Sequence, residues 1–109
     1  MGLKRIAMVD LPSGGDYDHA DMHLPSGRVY LANTALDGEP DVVLVDARRA
    51  CAYVCVGDPP TLHVVDLAER AMRKAISTGA GAKTAALDAE RHLLYVFLPK
   101  AGQAWVYAL

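Results

Sequence analysis

The chain has 109 residues, 52% of them hydrophobic and 22% charged, with 11 Lys and Arg against 13 Asp and Glu and a formal net charge of −2. That length supports one domain at most, and the composition is that of an ordinary globular protein rather than a disordered one. No basic run interleaved with aromatic residues occurs, which argues against nucleic acid as a ligand, and no stretch of about 18 uncharged apolar residues argues for a spanning helix.

The first ten residues, Met1 to Asp10, carry Lys4 and Arg5 but only a short apolar stretch, too short for the core of a signal peptide. A cytoplasmic location without membrane association is therefore expected for the chain as given. Next comes His19-Ala20-Asp21-Met22-His23. On an extended strand His19, Asp21 and His23 project from one face, and imidazoles flanking a carboxylate suit ligand binding, a divalent metal or acid–base work. The three are the candidate ligand-binding residues; the competing reading is a set of polar groups hydrogen-bonded at a solvated rim. No metal, cofactor or catalytic set is assigned.

Four apolar runs then read as strands: residues 42–45, 52–56, 93–98 and 105–109, each rich in β-branched or aromatic residues and bounded by turn chemistry. Residues 28–32 and 62–65 form weaker copies. Continuous rather than alternating apolarity predicts that both faces of these strands are covered. The gaps, Pro25-Ser26-Gly27, Asp37-Gly38-Glu39-Pro40, Gly57-Asp58-Pro59-Pro60 and Pro99-Lys100-Ala101-Gly102, favour reversal and are too short for crossover helices. The expected fold is all-β, a meander of hairpins.

Cys51 and Cys55 are the only cysteines. Four residues along a strand separate them by about 13 Å on one face, too far for a disulfide, so free buried thiols are expected. His63 and His92 lie in or beside strand runs and read as packed or edge histidines. Gly79-Ala80-Gly81-Ala82-Lys83-Thr84 has a superficial likeness to a phosphate loop, but Ala82 and Ser77 stand where that motif requires glycine. It reads as an inter-strand loop.

The segment 66–79 is the one place where local and repeat signals conflict. Asp66 to Glu69 has a capping-box pattern, good helix formers follow, and Gly79 offers a stop. In isolation this is a helix.

The repeats decide otherwise. Leu24 to Asn33 recurs as Leu87 to Phe97 and, loosely, as Asp46 to Val56; Val42-Val43-Leu44-Val45-Asp46 recurs as Leu62-His63-Val64-Val65-Asp66-Leu67. With Tyr30-Leu31-Ala32-Asn33, Tyr53-Val54-Cys55-Val56 and Tyr95-Val96-Phe97-Leu98, the chain resembles the YVTN family of β-propeller repeats over nearly its whole length. The resemblance implies about two and a half four-stranded antiparallel blades, with repeat-like segments at about 16–47, 48–81 and 82–109 in a single partial propeller domain. In that register residues 66–79 become a strand end, a turn through Ala68-Glu69-Arg70 and an outer strand from Met72 to Ser77.

Tyr53 to Tyr95 spans 42 residues, one blade length, whereas Tyr30 to Tyr53 spans 23. The shortfall is about two strands and a turn, so Val42 to Val45 is expected to pair directly with Cys51 to Val56 as a tight hairpin. An incomplete ring implies self-association or a partner that completes it. A binding or scaffold module without its own chemistry follows, with room for a small-molecule ligand. The alternatives are part of a lactonase-like propeller hydrolase, to which His19, Asp21 and His23 would contribute, and a truncated remnant.

Overall fold

The structure, a computed structural model, describes residues 2–11, 17–33, 40–57, 59–79, 81, 82 and 84–109. Among the described residues nine strands follow one another: β1 (Tyr17–His23), β2 (Arg28–Asn33), β3 (Pro40–Asp46), β4 (Cys51–Gly57), β5 (Pro60–Asp66), β6 (Ala71–Ser77), β7 (Thr84–Asp88), β8 (Leu93–Leu98) and β9 (Gln103–Ala108). All pair with sequence neighbours, antiparallel, in three sheets: β1-β2, β3-β4-β5-β6 and β7-β8-β9. The all-β expectation holds. Among the described residues no helix is long and apolar enough to cross a membrane.

The helix signal of residues 66–79 loses to the sheet. β5 turns through Leu67 to Arg70 and returns as β6, with Asp66 opposite Ala71 and Leu62 opposite Ile76. Here the capping residue serves a hairpin: Asp66 Oδ1 accepts the amides of Ala68 and Glu69, both at 2.9 Å. Those are the contacts an N-cap would make, so the local chemistry is used while the long-range ladder selects the strand. The shortened spacing between Tyr30 and Tyr53 likewise resolves as expected, because β3 pairs β4 directly with Asp46 opposite Cys51.

The three sheets stack, and the middle one is covered on both faces. Toward the third sheet it presents Val42, Cys51, Tyr53, Cys55 and Leu62, which share a core with Leu94, Val96 and Leu98. Toward the first sheet it presents Val43 and Ala52, which pack with Leu67 and Tyr30. Alternation in a strand sends neighbours to opposite faces, so an uninterrupted apolar run is what a middle layer requires.

The stack has a direction. Tyr30, Tyr53 and Tyr95 are each the third residue of the strand that leaves a four-residue turn. Tyr30 lies against the second sheet and Tyr53 against the third. Tyr95 flanks the inward Leu94 and Val96 and so lies on the far face of the third sheet.

Cys51 and Cys55 are free and buried, as expected. Gly79 connects the second sheet to the third, and a methyl group there would run into Leu98, with the Trp105 ring close behind. The glycines of this connection therefore serve packing and, at Gly81 with φ 82°, a left-handed backbone.

Candidate functional site

Four turns lie at equivalent places, and one chemical rule builds them. β3, β5 and β7 end in Asp46, Asp66 and Asp88, and each carboxylate accepts an amide two or three residues on: Arg49 N at 3.2 Å, Glu69 N at 2.9 Å and Arg91 N at 3.0 Å. The fourth turn residue takes a left-handed conformation, with φ 50° at Ala50, 55° at Arg70 and 61° at His92. In the turn from β1 to β2 that place is held by Gly27, φ 72°.

His23 occupies the position of the three aspartates. Its Nδ1 accepts the Ser26 amide at 3.3 Å and lies 2.7 Å from Ser26 Oγ, which in turn accepts the Arg28 amide at 3.2 Å. A histidine with one unprotonated nitrogen can mimic the carboxylate in this role.

Asp21 is engaged as well. Its Oδ1 accepts the Met22 amide and its Oδ2 accepts the Val45 amide of β3, both at 2.8 Å. The second bond ties the first sheet to the second. Asp21 and His23 share a face of β1, and the register with β2 slips by one residue between Tyr17 and Ala20. The His19 side chain lies outside the described residues. Among the described residues no group of three His, Cys, Asp or Glu side chains is placed to hold a metal ion.

The most polar buried point lies elsewhere, between the second and third sheets. Asp46 is fully buried and accepts the Tyr53 hydroxyl at 2.8 Å and the Arg49 guanidinium at 3.1 Å. Burial pushes its carboxyl up, but the bonds from Tyr53 and from the Arg49 amide and guanidinium outweigh that and hold it below the usual carboxylate range. Tyr53 is driven the other way: burial, then Cys51 and the Asp46 carboxylate, raise its hydroxyl above its ordinary value. The Cys55 thiol is pushed up to about 11, first by burial and then by the charge of Asp41.

Arg49 continues across the gap, donating through Nη2 to His92 Nδ1 at 2.5 Å, and Arg48 donates to the Ala89 carbonyl at 3.3 Å. Both contacts join the turn of the second sheet to that of the third. A guanidinium only donates, so His92 Nδ1 is the acceptor. Arg73 braces the same turn from β6: Nε donates to Asp66 at 2.7 Å, Nη1 to the Arg49 carbonyl at 3.2 Å and Nη2 to the Ala50 carbonyl at 3.4 Å. His63, on the interior strand β5, has its Nε2 3.1 Å from Thr61 Oγ1.

Beside this network a cleft of about 280 Å³ opens, lined by Arg49, Cys51, Tyr53, Leu62, Arg73 and Tyr107 among others. Its size suits a small ligand with an apolar body. Its two arginines are committed to Asp46, His92, Asp66 and backbone carbonyls. The sequence points to this network only through Asp46, Asp66 and Asp88, which recur 20 and 22 residues apart; that His92 joins it from the third sheet requires the stack. No family model, curated protein or solved structure matches the chain.

Proposed function

We propose that the chain is a segment of a β-propeller of the YVTN type that serves as a scaffold or binding module and performs no chemistry of its own. The observation that carries this reading is the directional stack, in which the repeat tyrosine of one sheet packs on the next, Tyr30 on the second sheet and Tyr53 on the third. Radially repeated antiparallel sheets in a propeller are held in that manner. The charged groups support it too: Asp46 with Arg49, Asp66 with Arg73 and Asp88 with Arg91 are spent on closing turns.

The test is a panel of lactones, aryl esters and phosphate esters offered to the intact chain and to the triple variant His19→Ala, Asp21→Ala, His23→Ala. A scaffold gives no turnover that the triple variant lacks. Turnover by the native chain that disappears in the variant overturns the reading in favour of a lactonase-like hydrolase.

A further inference from the structure

The two outer faces of the stack each carry exposed apolar residues. On the third sheet the face turned away from the core carries Tyr95, Phe97, Ala104 and Val106, with Tyr95 opposite Val106 and Phe97 opposite Ala104 in the ladder. None of these four is charged, Asp88 at the β7 end of the same face is paired with Arg91, and Phe97 and Val106 are 38% and 53% exposed. On the first sheet the outward pair is Met22 opposite Val29, 44% and 57% exposed. Inside the chain the same two kinds of face already meet twice. Tyr30 shares a core with Ala52, the second residue of β4, and Tyr53 shares one with Leu94, the second residue of β8. The equivalent partner for Tyr95 is the second residue of β2, which is Val29.

We infer that the far face of the third sheet docks on the outer face of the first sheet of a second copy, head to tail, placing Tyr95, Phe97 and Val106 against Met22 and Val29. This rests on the directional stack that supports the proposed function. The occupant is a second copy because one chain presents both halves of the contact in the relation its own interior uses twice. Such a contact is heterologous: each copy offers one face and accepts with the other, so assembly continues until a ring closes or a filament forms. Large exposed apolar faces of this sort mark interaction surfaces.

Light scattering of the full chain over a range of concentrations should give a mass that rises to at least twice the 11.7 kDa of one chain. Val106→Glu spoils the donating face and Val29→Glu the accepting one; both positions are solvent-exposed in the single chain, and circular dichroism verifies the fold. Each variant alone should remain at one chain where the native protein associates. Mixed in equal amounts they should form dimers and nothing larger, because one intact contact remains to be made. An isologous contact cannot be restored by mixing.

A native chain that stays at 11.7 kDa overturns the inference, as does a mixture that stays monomeric. Association that survives both substitutions also overturns it. If that association is lost on deleting residues 2–11, where Leu3, Ile6, Met8 and Val9 are exposed, the contact belongs to that segment instead. Hydrogen exchange separates the two readings. A monomer with protected β4 amides sinks the docking alone, whereas unprotected β4 amides sink the stacked-sheet reading as well.

Discussion

The Val45 amide in the second sheet donates to Asp21 Oδ2 in the first at 2.8 Å, across the gap between two layers that also pack through Val43, Ala52 and Tyr30. A carboxylate accepting backbone amides in a half-buried place is a structural tie, since removing it strands the donor. Asp21→Ala is expected to cost about 1 to 3 kcal/mol, and Asp21→Asn less, because an amide oxygen still accepts. Urea unfolding of the three proteins measures this; an unchanged midpoint for Asp21→Ala would show that the tie carries no stability.

His23 stands where the other turns have aspartate. His23→Asp should therefore be tolerated or mildly stabilising, while His23→Ala leaves the Ser26 amide without its side-chain partner and lowers the melting temperature. A binding role for this histidine predicts instead that both substitutions abolish ligand binding alike, with no difference in melting temperature between them.

Three aspartates, Asp46, Asp66 and Asp88, have folded-state pKa values held below the ordinary 3.8. For Asp66 the first cause is the Glu69 amide and for Asp88 the Arg91 amide. A lowered value means that the unfolded chain takes up protons first, so the stabilisation is complete above 3.8 and is lost as pH falls through the folded-state values. Thermal unfolding followed between pH 7 and pH 2 should show a flat region and then a steep decline below about pH 4. Asp46→Asn should flatten part of the decline and lower stability at pH 7 by about 1.5 to 3 kcal/mol, the range for a hydrogen-bonded charged group.

Arg70 adopts φ 55° at an exposed turn position where Gly27 serves the equivalent turn. A side chain in that region costs about 1 kcal/mol or more, so Arg70→Gly should be neutral to slightly stabilising. Ala50→Gly should behave alike. Loss of stability in both would mean that the turns depend on their side chains rather than on backbone geometry.

Gly79→Ala should act in the opposite sense. The new methyl group meets the buried Leu98 side chain and forces it to move, and overpacking of this kind costs about 1 to 3 kcal/mol. A double variant with Leu98→Val should recover part of the loss, which denaturant titration can measure.

The hairpins were legible from local chemistry. Turn residues, Tyr-rich strands and the 23-residue interval together led to the direct pairing of β3 with β4, because a strand and its neighbour across a tight turn have no other partner to find. Buried free cysteines followed from strand spacing in the same way. The segment 66–79 shows the limit. Its capping contacts are satisfied equally by a helix start and by a four-residue turn, so propensity cannot choose; the β5 ladder, with Leu62 fully buried against the third sheet, does. His23 shows it from the other side: with Asp21 and His19 it resembles a ligand set in the sequence, and its bond from the Ser26 amide, equivalent to those at Asp46, Asp66 and Asp88, is visible only in three dimensions.

What the amino-acid order determined by itself was apolar strand runs and turn chemistry: which segments are strands, which reverse, and that the strands are apolar on both faces. Such information is local, carried within a hairpin of some twenty residues. Which face meets which sheet, that Asp46 is buried between the second and third sheets, and that Tyr95 lies on the far face of the third were decided by the stacking of three sheets. The contacts between layers join residues far apart in the chain, 24 positions for Asp21 with Val45 and 43 for Arg49 with His92, and they exist only once the layers are in register.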